Sequence, residues 1–295
     1  MTQQRRTDLA VEARELYRER AGETTKLRGV RARERQRRGF PVTRVDILDP
    51  EGAQALGKPV GSYRTVDLSP YFAHRSGQFL PAVKALSEEL GELLPEDGPV
   101  FVAGLGNRDM TPDAVGPLAV DHLLITRHLK EVLPDFRPTS AAAAGVLGTT
   151  GLESAEWVRG LAQASECAAV VVIDALAARS LHRLCTTIQL SNTGIIPGSG
   201  VGNRRLALNE DLLGVPVISI GVPTVVDAAT LALDLLGDRE GTEPPEDLGE
   251  RGTSLFVTPK DVDAQVGEIA KILGYGISLA LQPGLAVEDL TALLE

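Results

Sequence analysis

The chain has 295 residues, of which 43 % are hydrophobic and 24 % charged, and its formal net charge is −10. That balance belongs to a globular chain with a full core and excludes a low-complexity or disordered one. Two cysteines, Cys167 and Cys185, are too few for a disulfide framework, and no uncharged apolar run reaches the ~18 residues that span a bilayer, so a reducing, cytoplasmic compartment is expected.

Charge is unevenly spread. The first 40 residues carry twelve Arg or Lys against six Asp or Glu, which leaves −16 on the other 255. Such a basic arm either lies on its own protein, a sister subunit or another polyanion, or is simply a solvated face. An acidic body with 4 % aromatic residues has little with which to hold phosphates or stack on bases, so no nucleic-acid partner is expected.

In chain order, Thr7 or Asp8 can cap a helix that places Leu9, Ala13, Leu16 and Tyr17 on one face. Residues 29–48 read as two extended runs around Arg38-Gly39, a hairpin, and 61–68 as a further strand. These pieces predict a strand-rich N-terminal layer over residues 9–75. Within 78–94, Phe79, Leu80, Val83, Leu86, Leu90 and Leu93 recur at helical spacing. Three nearly all-apolar runs, 99–104, 168–173 and 216–221, read as strands covered on both faces, with helices at 112–129, 153–165 and 226–236. Residues 237–252, rich in Gly, Pro and acids, read as a surface loop, and 260–281 as a helix started by Thr258-Pro259. The alternation predicts a three-layer α/β/α fold around a mostly parallel or mixed sheet.

Ligands of such sheets collect beyond the carboxyl ends of the strands. There the sequence places Gly104-Leu-Gly106-Asn107 and the turn up to Asp113, then Asp174 to Ser180, then Gly221 to Asp227. Gly104-Leu-Gly106 lacks the third glycine of a dinucleotide cradle, and no Walker motif is present. Ser199, within Pro197-Gly-Ser-Gly-Val-Gly202, is not in a GxSxG elbow. His74, His122, His128 and His182 lack the paired spacing of zinc ligands, so no cofactor or metal is expected. Carboxylates remain. Asp113 opens a helix and Asp174 ends an apolar strand, so neighbouring strands can bring both into one crevice. Two carboxyls at close range share a proton, and such a pair can activate water as base while protonating a leaving amine as acid. Each can equally be a helix cap or a loop brace, and Asp227 reads better as an N-cap.

At these residues the sequence resembles the germination protease, or spore protease, family of endospore-forming bacteria. The matching stretches are Arg6-Thr-Asp-Leu-Ala-Val-Glu-Ala13, Gly104-Leu-Gly-Asn107, Thr111-Pro-Asp-Ala-Val-Gly-Pro117, Leu123-Leu-Ile-Thr-Arg-His128, Ile173-Asp-Ala-Leu-Ala-Ala-Arg-Ser180, Pro197-Gly-Ser-Gly-Val-Gly-Asn203, Gly221-Val-Pro-Thr-Val-Val-Asp227 and Val257-Thr-Pro-Lys260. The resemblance implies an endopeptidase of the spore core that begins the degradation of small acid-soluble DNA-binding proteins at germination. It also implies a fold akin to the hydrogenase maturation proteases, a homotetramer, and synthesis as a self-processing zymogen. The family's catalytic aspartates fall on Asp113 and Asp174. Its propeptide falls on residues 1–8, cleaved between Asp8 and Leu9 ahead of a single peptidase domain over 9–295. Thr7-Asp8-Leu9-Ala10 has the form of the family's substrates, an acid before a bulky apolar residue and alanine.

With that assignment, the backbone of Gly104, Gly106, Asn107, Gly198, Ser199 and Gly200 is expected to shape the substrate site. Arg179 is expected either to receive the substrate's acidic side chain or to brace its own loop. Two departures stand out: Ile196 replaces the histidine frequent before Pro-Gly-Ser-Gly, and the 237–252 segment is short. The alternatives are a metal-dependent maturation-type protease of the same fold, a nucleotide-binding α/β protein, and a non-catalytic binder of spore proteins.

Overall fold

A computed structural model describes residues 7–21, 27–74, 76–198, 205–236 and 255–294. The expected 237–252 loop, Ser199, Gly200 and the first six residues of the arm lie outside them. Helix α1 (Ala10–Ala21) is followed by the hairpin β1 (Val30–Arg37) and β2 (Phe40–Ile47). Arg38 and Gly39 turn it with φ of 54° and 90°, the mirror-image turn that matches strand twist. Next come α2 (Pro50–Leu56), capped by Asp49 on the Gly52 N–H, then β3 (Gly61–Asp67), α3 (Ser69–Ala73) and α4 (Phe79–Gly91).

The central unit holds β4 (Val100–Gly104), α5 (Val115–Val120), β5 (Thr139–Ala143), α6 (Leu147–Thr150), α7 (Ser154–Ser165), β6 (Ala169–Ala177) and β7 (Thr187–Ser191). It is completed by α8 (Glu210–Leu213), β8 (Val217–Asp227), α9 (Ala228–Leu236), the short β9 (Phe256–Val257), α10 (Val262–Leu281) and α11 (Val287–Leu294).

The strands form one mixed sheet in the order β1-β2-β3-β7-β8-β6-β4-β5, with β9 on β8. Pairing is antiparallel from β1 through β8 and parallel across β8, β6, β4 and β5. The N-terminal strands are thus no layer of their own: β3 pairs with β7 and makes them the antiparallel flank of the main sheet. Alternation decides which face each side chain takes. Phe40, Val42, Val66, Val100, Val102, Val171 and Ile173 pack with α4, α5 and α10 on one face. Phe101, Ala103, Val170 and Val172 pack with α7 on the other. Val45, Ile47 and Tyr63 continue that second face under α1. Burying each large aliphatic side chain in these layers stabilises by roughly 1.5–3 kcal/mol.

The helix expected over 112–129 is broken. After α5 the Leu124 N–H goes to Ser278 Oγ at 2.9 Å and the Thr126 N–H to the Thr139 carbonyl at 3.1 Å, so this backbone bonds to α10 and to the start of β5 instead of to its own preceding turn. No helix among the described residues is long and apolar enough to cross a membrane.

Candidate active site

Strand β4 stops at Gly104, whereas β6 and β8 run on together to Ala177 and Val225. A notch therefore opens at the carboxyl end of β4. It lies where the chain leaves β4 towards β5 on one side and β6 on the other, the reversal of strand order at which open α/β sheets bind ligands. Gly104 pairs with Ile173, so Asp174 is the first β6 residue beyond β4, inside a strand that continues past the expected end at 173.

Asp113 reaches the notch from the turn after β4. Gly106 has φ of 114°, and a Cβ there would lie 1.9 Å from the Asp113 carbonyl oxygen, so only glycine lets residues 104–107 fold against the single 3-10 turn at Thr111–Asp113. The Asn107 N–H donates to Asp113 Oδ2 at 2.8 Å. Thr224 of β8 ties the same turn down by donating to the Pro112 carbonyl at 2.6 Å. The Asp113 carboxylate is thus turned back onto the glycine turn and does not cap α5, whose N-terminus has no side-chain cap. Asp227, by contrast, is an N-cap, its Oδ1 accepting the Thr230 N–H at 2.8 Å.

Asp113 and Asp174 line one cavity of about 470 Å³, together with Gly106, Gly198, Arg205, Thr224 and Asp8 and with apolar walls that include Leu105, Met110, Leu176 and Phe256. Asp174 is 6 % exposed, and its Oδ1 accepts the Ala175 N–H at 3.0 Å. Burial holds its carboxyl well above the usual carboxylate range, and the charges of Asp113 and Asp8 push it further the same way. Asp113 is also raised by burial, but the Asn107 N–H and the Arg205 charge draw it back. Both carboxyls are thus raised, Asp174 the further, because burial and two neighbouring carboxylates outweigh the Ala175 N–H and the Arg205 charge that favour its ionised form.

The N-terminal segment enters the same cavity. The Asp8 N–H donates to the Ala177 carbonyl at 3.0 Å, and the Ala177 N–H donates to Asp8 Oδ2 at 2.9 Å. Gln189 on β7 donates Nε2–H to the Asp8 carbonyl at 3.2 Å and accepts the Ala10 N–H on Oε1 at 2.7 Å. Leu9 and Ala10 are fully buried. A second cavity, about 340 Å³, shares Asp8 and Leu176 with the first and is lined by Lys58, Tyr63 and Gln189. Burial lowers the Lys58 ammonium, and the charges of Asp8 and Glu12 oppose that shift.

Of the other expected site residues, Gly104 and Asn107 build the turn, and Gly198 is on the cavity wall. Arg179 is elsewhere: its Nε donates to Asp234 at 3.0 Å and its Nη1 to Glu19 at 2.8 Å, which is the bracing alternative. Arg205, Lys58 and Gln189 escaped the sequence reading. Gln189 carried a legible signal, a lone amide in the alternating run Thr187-Ile-Gln-Leu-Ser191, once that run is recognised as a strand. Among the described residues no three His, Cys, Asp or Glu side chains gather closely enough to hold a metal ion.

A family model described as germination protease matches residues 10–237. The germination protease of Clostridium perfringens (strain ATCC 13124) is 44 % identical, with 98 % of each chain covered. That of Caldanaerobacter subterraneus subsp. tengcongensis is 45 % identical over 98 % of each, and that of Bacillus velezensis 36 % identical over 96 % of this chain and 95 % of the other. Among solved structures, a [NiFe] hydrogenase maturation protease, HycI from Thermococcus kodakarensis KOD1, gives a TM-score of 0.32 at 19 % identity, covering 63 % of this chain and 98 % of that one. With the family model spanning most of the chain and relatives matching end to end, this protein is a protease that belongs to the germination protease family.

Proposed function

We propose that the protein is an endopeptidase that starts the degradation of small acid-soluble spore proteins at germination, working in the spore core as a homotetramer made as a self-processing zymogen. The family supports this reading of its substrates, assembly and compartment. The chemistry is carried by one observation: Asp113, Asp174 and Asp8 line a single cavity at the carboxyl end of β4.

In the mechanism this arrangement supports, Asp113, the less raised of the two and bonded by the Asn107 N–H, takes a proton from water as the water oxygen attacks the carbonyl carbon. Asp174, kept neutral by burial, delivers its proton to the departing amide nitrogen, and the C–N bond breaks. The bond cut in processing is Asp8–Leu9, where the Asp8 N–H already donates to the Ala177 carbonyl. The acid before the cut meets the Ala177 N–H and the field of Lys58, and Arg179 is left to brace.

The test is to incubate the full chain, and separately a peptide containing Thr-Glu-Phe-Ala, and to read products by mass. The wild type is expected to release residues 1–8 and to cut the peptide. Asp113→Asn and Asp174→Asn are each expected to lose at least about 10²-fold in both assays while keeping the native circular dichroism spectrum, the scale of a lost general acid or base. Full activity in either variant removes that residue from the mechanism, and an intact peptide with the wild type would leave a non-catalytic binder.

A further inference from the structure

Gln189 is a buried amide whose side-chain hydrogen bonds among the described residues both go to the N-terminal segment. It lies on β7, between β3 and β8, and its neighbours Ile188 and Leu190 point into the opposite core. Both ends of its carboxamide are used on the N-terminal segment: Nε2–H on the Asp8 carbonyl and Oε1 on the Ala10 N–H. A single side chain thus does what a neighbouring strand would do, pairing with the backbone on both sides of Leu9. A buried amide needs both of these bonds, since an unmade one costs about 1–3 kcal/mol.

We infer that Gln189 is a catalytic residue of the processing step, its carboxamide clamping the backbone across Leu9 and polarising the Asp8 carbonyl. The inference rests on the reading that Asp8–Leu9 is the bond cut. When the water oxygen bonds to the Asp8 carbonyl carbon, negative charge develops on the carbonyl oxygen, and that oxygen already accepts the Gln189 Nε2–H. A donor aimed in advance at a developing oxyanion acts on the transition state more than on the bound peptide. The proton lost by water goes to Asp113, the proton of Asp174 goes to the Leu9 nitrogen, and the products are the Asp8 carboxyl and the Leu9 amine. The Oε1 contact to Ala10 fixes the amide's orientation, so that the donor end faces the carbonyl and not the reverse.

The rival role is an anchor for α1, whose first-turn N–H groups need acceptors. Two variants separate the roles. Gln189→Glu keeps the acceptor for the Ala10 N–H, and strengthens it, but has no donor for the Asp8 carbonyl while ionised. Gln189→Leu removes both ends at similar volume. The measurement is the rate of release of residues 1–8 from the full chain, followed by mass between pH 5 and 8, with thermal unfolding as the check on folding.

Both variants are expected to process about 10²–10³-fold more slowly than wild type at pH 8, the scale of one lost oxyanion donor. The Gln189→Glu deficit relative to wild type is expected to shrink as pH falls, because a protonated Glu regains an O–H donor. An anchor alone predicts that Gln189→Glu processes at the wild-type rate at every pH, and that result overturns the inference. Should Gln189→Leu fail to fold, Gln189→Glu decides alone. If the wild type itself releases no fragment at Asp8–Leu9, the parent reading fails, and the inference with it. If the wild type does release it and Gln189→Glu keeps pace, only the inference fails.

Discussion

Asp174 carries a cost in its position that a pH series can expose. Its carboxyl is raised by burial and by two neighbouring carboxylates, so the folded state binds its proton more tightly than the unfolded chain does. Such a group contributes stability that is full below the ordinary carboxyl pKa of about 4 and is lost as pH rises through the raised folded value. Asp174→Asn removes the ionisation while leaving an oxygen for the Ala175 N–H. Its unfolding midpoint, relative to wild type, is therefore expected to climb as pH goes from about 4 to 8. A difference that stays flat across that range would mean the carboxyl is not raised. That the two aspartates meet in one cavity was legible in the sequence, because Asp174 lies in an apolar strand and Asp113 in the turn after another. How far each carboxyl is raised was not, since that depends on burial, on the Asn107 N–H and on Arg205, which acts on both through space.

Among the elements, the contact of β1 and β3 with α4 rests on a charge network as well as on apolar packing. Glu89 of α4 is fully buried and receives Arg35 Nη2 at 2.7 Å, Arg37 Nε at 2.8 Å and, more distantly, Arg64. Arg64 is itself buried and also donates to the Glu89 carbonyl at 2.8 Å. Arg35 and Arg37 reach solvent, but removing the Glu89 carboxylate leaves buried Arg64 short of a partner, so Glu89→Ala is expected to destabilise by about 3 kcal/mol in denaturant titration. Glu92, whose side chain is 40 % exposed, meets the same arginines at the rim, and Glu92→Gln is expected to cost under about 1 kcal/mol. Equal costs would show that burial does not set the strength of this network.

The elements also divide by how plainly they announced themselves. The hairpin at Arg38-Gly39, β4, α4, α7 and α10 follow from turn chemistry and apolar period. Strand β5, Thr-Ser-Ala-Ala-Ala, has no strand-forming side chains beyond its threonine, and is a strand only because β4 offers a parallel edge to it. The extra lengths of β6 and β8 have the same cause, each supplying the other's hydrogen bonds beyond the end of β4.

For the whole molecule, the N-terminal segment and the cavity are one assembly. Asp8 takes both backbone groups of Ala177, and its carboxylate is on the cavity wall. A substrate entering from outside must compete with that seated segment. A chain beginning at Leu9 is accordingly expected to cut a Thr-Glu-Phe-Ala peptide about tenfold faster than the wild-type full chain does over the interval in which mass shows residues 1–8 still attached, equivalent to relief of about 1.4 kcal/mol of occlusion. Equal rates would remove any inhibitory role from the segment.

By itself the sequence determined the layered α/β class and the family, and it singled out the two aspartates that meet in one cavity, because apolar period, turn residues and motif order are properties of neighbours along the chain. Only the tertiary structure decided that the N-terminal strands extend the main sheet, that Arg179 braces while Lys58 faces Asp8 and Arg205 the aspartate pair, and that Gln189 grips the segment around Leu9. Those outcomes depend on hydrogen bonds and electric fields between residues from separate stretches of the chain, whose meeting is set by sheet order and not by local spacing.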